Sequence, residues 1–170
     1  MTLIRSVRGF EPIWDETCWF AETATLIGEV KLGKNCTVWY NAVVRGDVNS
    51  ITVGDNSNIQ DNVVIHGTYE KAATAIGDNV SIGHSALIHG CTIEDNVLVG
   101  MGAIIMDNAV IGSGSIIGAG AVVLANTVVE PNSIYVGNPA RKVKESGDKG
   151  LQEIKRIAGN YPKYASWFKG

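Results

Sequence analysis

No stretch of this 170-residue chain approaches the roughly 20 consecutive apolar residues of a membrane-crossing helix, so no span is expected. Basic residues are sparse: 14 Lys and Arg stand against 17 Asp and Glu, for a formal net charge of −3. Without a Lys/Arg stripe to neutralise phosphates, nucleic acid is an unexpected partner. The three cysteines, Cys18, Cys36 and Cys91, are scattered, which suits reduced thiols in a cytoplasm better than a disulfide framework. Met1 to Phe10 holds Arg5 and Arg8 but no apolar run long enough for a signal peptide, so a cytoplasmic location is expected. Histidine is scarce too, with three in the chain. Their placement turns out to matter most.

What the chain does have is a beat of six. Aliphatic residues recur at Ile76, Ile82, Ile88, Ile93, Val99, Ile105, Ile111, Ile117, Val123 and Val129, with one step of five. The same beat appears earlier at Leu32, Val38 and Val44, then at Val53, Ile59 and Ile65. Six matches neither a helix near 3.6 nor a lone strand at 2, so it describes a repeat. Hexapeptide repeats predict an all-β chain wound as a parallel β-helix, a triangular prism in which three hexads close one coil. The chain divides into an irregular cap over residues 1–25, coils over 26–136, and a turn with a C-terminal helix over 137–170. Trp14, Trp19 and Phe20 are expected to cover the open end of the prism. Leu151, Ile154, Ile157 and Ala158 fall at helical spacing, predicting one amphipathic helix over 148–158. Gly159 and Pro162 are expected to stop or kink it, leaving Tyr161, Tyr164, Trp167 and Phe168 as an aromatic tail. Two insertions break the beat, three extra residues after Val44 and five after Ile65. Insertions in a solenoid emerge as loops on one face, which is often the binding face.

The repeat converts numbering into position. Residues three hexads apart stack one strand spacing apart, about 4.8 Å. His66 follows the hexad start Ile65 and His89 follows Ile88, three steps on, so the two imidazoles should stack and point outward. Arg45, after Val44, lies in the same column one coil below. His84 belongs to a neighbouring column, above Asp61. Only a second subunit could bring a His84 to the His66/His89 pair, and three prisms about a threefold axis would do so at every interface. A histidine on a β-solenoid is ordinarily a surface residue. All three within 24 residues, two of them in stacking register, point instead to a metal. Three imidazoles with an open position suit Zn²⁺, with Fe²⁺ or Co²⁺ as possible occupants, and lower the pKa of bound water to about 7. Arg45, Asp47, Gln60 and Asp61 gather around this position. An Arg45–Asp61 ion pair across the interface would serve subunit sealing, catalysis, or both. Asp47 is placed to clamp Arg45. Gln60 either orients a reactant or is a solvated rung residue. Cys36 reads as small core filler.

The ladder, the elements Val44-Arg45-Gly46-Asp47 and Ile59-Gln60-Asp61-Asn62, and the run Gly83-His84-Ser85-Ala86-Leu87-Ile88-His89-Gly90 together resemble the gamma-class carbonic anhydrases over roughly residues 10–165. The resemblance implies a left-handed parallel β-helix with a C-terminal helix, assembled as a homotrimer. It implies zinc or iron held by His66 and His89 of one chain and His84 of the next. It also implies an interfacial salt-bridge set of Arg45, Asp47 and Asp61, with Gln60 orienting a metal-bound hydroxide. Tyr161 matches a C-terminal tyrosine that approaches the metal in some members. The expected reaction is reversible hydration of CO2 to bicarbonate. The chain departs from the pattern where well-studied members carry proton-shuttling glutamates: Val48 and about Tyr69 stand there, with Glu70 nearby. Rival readings are a hexapeptide-repeat acyltransferase using a coenzyme A thioester and a non-catalytic metal-binding trimer.

Overall fold

The structure, a computed structural model, describes residues 1–168; the last two residues of the expected C-terminal segment lie outside the described residues. Very short strands, most of them two or three residues long, pair in parallel with the strand one coil away. About seven turns result, and the architecture is the parallel solenoid that the six-residue beat predicts. One face stacks Val64–His66, Leu87–His89, Ile104–Ile105 and Val122–Val123. The next stacks Thr74–Ile76, Thr92–Ile93, Val110–Ile111 and Val128–Val129. The third runs from Trp19–Phe20 through Thr37–Val38, Asn58–Ile59 and Ser81–Ile82 to Ser133–Val136. Two longer strands, Thr25–Leu32 and Val43–Val53, turn a corner and serve two faces each.

The aliphatic residue of each hexad points inward. Ile65, Ile82, Ile88, Ile105, Ile111 and Ile117 are each 0% exposed, and Cys36 fills the core beside them. Each such side chain contributes roughly 1.5–3 kcal/mol by leaving water. Tight corners force a left-handed backbone, and among the described residues nine of the twelve non-glycine positions with positive φ are asparagines, the residue that tolerates it best.

The ends differ from expectation. Residues 1–25 are only partly irregular: Leu3–Arg5, Ile13–Trp14 and Trp19–Phe20 pair in parallel with the first full coils and extend the solenoid. An exposed ladder edge recruits backbone more strongly than the weak repeat signal there suggests. At the other end Arg141–Glu145 runs antiparallel against Ser133–Val136 and covers the last rung with charged residues. The helix spans Gly147–Ser166, continuing through Gly159 and Pro162. A proline in a helix interior costs about 3 kcal/mol. Burial of Ile154, Ala158 and Ala165, with Tyr161 packed edge-on against Trp39 at 5.3 Å, offsets that cost. Tyr161 and Tyr164 are therefore helical residues rather than tail. No helix among the described residues is long and apolar enough to cross a membrane.

Candidate metal centre

Ladder pairing sets His66 directly beside His89, and Ile65 beside Ile88. Val44 pairs with Ile65, so Arg45 follows in the same column. His66 Nδ1 and His89 Nε2 lie 3.2 Å apart. Their other ring nitrogens each meet a carboxylate: His66 Nε2 lies 2.9 Å from Asp47 Oδ1, and His89 Nδ1 lies 2.5 Å from Asp107 Oδ1. A carboxylate accepts, so each imidazole donates its N–H outward and turns a lone pair toward the other ring. Two facing lone pairs repel unless a proton or a cation lies between them. Two imidazole nitrogens on one tetrahedral zinc ion, at about 2.0–2.1 Å each, would be about 3.3 Å apart. The donor set thus fits a divalent metal, and the carboxylates are the partners that fix imidazole orientation in such sites. Among the described residues no three His, Cys, Asp or Glu side chains of this one chain converge on a common point. One chain by itself brings together two imidazole nitrogens.

The insertions supply what holds the pair. The insertion after Val44 does not emerge as a loop: it is absorbed into the long strand Val43–Val53, which carries Asp47, and Asp47 also accepts from Arg45. Partial burial raises the Asp47 carboxyl, but hydrogen bonds from His66 and Arg45 outweigh it and leave the group below its ordinary value. Gly46 is obligatory here, since a Cβ would sit 2.4 Å from the Glu29 carbonyl oxygen. The loop after Ile65 closes tightly, with a bridge between Thr68 and Ala72, and presents Thr68 Oγ1 to Asp107 Oδ2. Burial again raises the Asp107 carboxyl, while the Thr68 and His89 hydrogen bonds bring it below the ordinary value. Sequence reasoning missed both Asp107 and Thr68. Asp107 was within reach of the ladder argument: Ile105 stacks on Ile88, which sets Asp107 one coil above Gly90. Gly90, at φ +56°, leaves the space, because a Cβ there would meet Asp107 Oδ1 at 2.6 Å.

His84 sits on a different edge, above Asp61 as the column count requires, with Nδ1 2.8 Å from Asp61 Oδ2. The expected cluster of four therefore divides. Arg45 and Asp47 accompany His66 and His89, whereas Gln60, Asp61 and Tyr161 accompany His84. Within one chain Arg45 and Asp61 already have separate partners, Asp47 and His84. Gln60 is not a solvated rung residue: it is 4% exposed, accepts from the His84 backbone N–H at 3.1 Å and donates to Asn58 at 3.0 Å. A cavity of about 340 Å³ opens beside it, lined by Gln60, His84, Met101, Ile157, Tyr161 and Tyr164 among others. Burial first, then the charge of Asp61, pushes the Tyr161 phenol up to about 12. The positions of the absent glutamates, Val48 and Tyr69, line a second cavity of about 180 Å³ against Asp47, together with Arg8, Glu29 and Glu70.

A parallel solenoid of six-residue rungs, with paired histidines on one edge, defines a hexapeptide-repeat protein. The family model described as "Hexapeptide repeat of succinyl-transferase" matches residues 29–66 and 73–106, and "Bacterial transferase hexapeptide (six repeats)" matches residues 90–125. Within that class the chain belongs to the gamma carbonic anhydrase family. It is 54% identical to a Methanocaldococcus jannaschii protein named "Probable carbonic anhydrase", over 84% of this chain and 89% of that one. It is 41% identical to the mitochondrial gamma carbonic anhydrase 2 of Arabidopsis thaliana over 88% of its length, and spans 56% of that longer protein. Among solved structures, a Bacillus cereus protein described as an acetyltransferase superposes with a TM-score of 0.96 at 32% identity, covering 99% of this chain and 97% of that chain.

Proposed function

We propose that this chain is a homotrimeric carbonic anhydrase that interconverts CO2 and bicarbonate at its subunit interfaces. The observation that carries the reading is the pair of imidazole nitrogens 3.2 Å apart, each ring backed by a carboxylate. His66 and His89 of one subunit and His84 of the next would hold a Zn²⁺, Fe²⁺ or Co²⁺ ion. Such an ion, when bound, makes water acidic enough to act as a nucleophile near neutral pH. The protein's own groups do the rest. Asp47 and Asp107 fix ring orientation and tautomer. Gln60 uses one amide hydrogen on Asn58, leaving the second to orient a reactant beside His84. Tyr161 keeps its proton at working pH and serves as a donor on the same side. Glu29 and Glu70 border the cavity against Asp47 and offer carboxylates for carrying a proton outward. An outward row of Val64, Leu87 and Ile104 flanks the histidine pair, 37–40% exposed, and favours burial against a second copy.

The test joins metal analysis of anaerobically purified protein to stopped-flow CO2 hydration at low and high imidazole. Metal stoichiometric with the chain, and a turnover that rises with imidazole, are expected. Absence of metal with zero rate at both buffer strengths would end the reading. An acyltransferase reading is favoured by one observation, the His84–Asp61 pair at 2.8 Å beside the larger cavity, a plausible general-base arrangement. Acyl transfer from a coenzyme A thioester by metal-stripped protein would support it.

A further inference from the structure

Two of the three cysteines fall into the same column. Trp19 pairs in parallel with Thr37, and the Trp19 backbone N–H bonds to the Cys36 carbonyl at 3.0 Å, which sets Cys18 one coil from Cys36. Each thiol also donates to a backbone carbonyl in the same way, Cys18 to Gly33 and Cys36 to Gly54, both at 3.0 Å. Parallel neighbours are about 4.8 Å apart at Cα, inside the roughly 4.4–6.8 Å that a disulfide spans. Cys18 is half-buried and reachable from solvent, whereas Cys36 is fully buried behind it. That is the layout of an attacking thiol and a resolving thiol.

We propose that Cys18 and Cys36 form a reversible disulfide when the protein meets a hydroperoxide, and that this bond staples the N-terminal strands to the solenoid. The Cys18 thiolate attacks one oxygen of hydrogen peroxide; the S–O bond forms, the O–O bond breaks, and hydroxide leaves and takes up the proton released by the Cys18 thiol to become water. The Cys36 thiol then attacks the Cys18 sulfenic sulfur; the S–S bond forms, the S–O bond breaks, and the hydroxyl departs with the Cys36 proton as a second water. Two electrons pass from the sulfurs to the peroxide. The surroundings favour this order. The neighbouring Cys36 side chain, against the opposing effect of burial, lowers the Cys18 thiol below its ordinary value, which favours Cys18 as the attacking thiolate. Cys91 is buried, its thiol pushed up to about 12 by desolvation, and the residues one coil away from it, Thr74 and Ala109, carry no sulfur. The bond has a structural reach. Cys18 adjoins Trp19, whose ring lies 4.8 Å from Trp39, which in turn packs on Tyr161 beside His84.

The test uses the full chain, reduced and then treated with stoichiometric hydrogen peroxide. Thiol counting should fall by two, intact mass should drop by two hydrogens, and peptide mapping should find a Cys18–Cys36 cross-link that dithiothreitol reverses. The thermal midpoint should rise by about 5–10 °C on oxidation. Cys18→Ser should abolish all these changes, while Cys91→Ser keeps them. Three free thiols after treatment, a stable sulfinic acid on Cys18 with Cys36 still reduced, or a cross-link only between chains would each overturn the proposal. Mapping on the unmodified chain decides the matter even if a variant folds poorly.

Discussion

The edge that bears His66 and His89 and the edge that bears His84 are built from the same hexads, yet they do different things. On the first, both insertions intervene, and each imidazole is held from behind by a carboxylate that the surrounding loops and glycines admit. Its rings are the more sheltered, 16% and 33% exposed at the side chain against 44% for His84. On the second edge the coil is uninterrupted, a single imidazole rests on Asp61, and the helix encloses an apolar cavity beside it. One edge is a pair of imidazoles clamped by carboxylates. The other is a single donor next to room for a small molecule. Regular repeats thus provide the stacking and Asp107, while the interruptions add Asp47 and Thr68, which complete the contacts behind the rings.

The sharpest attack on this contrast is His89→Ala. It should remove bound metal and lower CO2 hydration by about 10³-fold, while circular dichroism stays that of the parent. Retained metal would dissolve the clamp. Next, Asp107→Asn should weaken metal affinity by about 10–100-fold, and Asp61→Asn by no more than the lower end of that range, both read by competition with a chelator. Equal losses would erase the distinction between the edges. Gly90→Ala forces a Cβ to within 2.6 Å of Asp107 Oδ1 at φ +56°. It should cost about 1–3 kcal/mol in chemical denaturation and lower metal affinity with it. The smallest effect belongs to Tyr161. Its phenol is raised from 10.0 to about 12 in the fold, so the neutral form contributes stability that is present below 10 and lost as pH climbs toward 12. Ultraviolet titration should find one late phenolate, absent from Tyr161→Phe, whose stability should fall less over that interval.

The coil and its register could be read from the chain because a period of six leaves one way to bury Ile65, Ile82 and Ile88 together. From that register followed the stacking of His66 on His89 and of His84 over Asp61. The partners of those residues were only half visible. Asp47 was found because it sits two residues from Arg45, whereas Asp107 lies 18 residues beyond His89 and Thr68 reaches it from within an insertion. Insertions carry no period, so nothing in their spacing says where they fold. The N-terminal strands and the helix beyond Pro162 were missed for a related reason. Both are stabilised by contacts with distant rungs, which outweigh local preference.

Local periodicity, a property of neighbours in the chain, was enough to specify the parallel coil and which side chains share a column. Which carboxylate meets which imidazole, where Gln60 turns, and how the helix roofs a cavity depended on contacts between residues far apart in number. Those contacts exist only once the backbone has closed its coils, because a carboxylate chooses its partner by distance and angle.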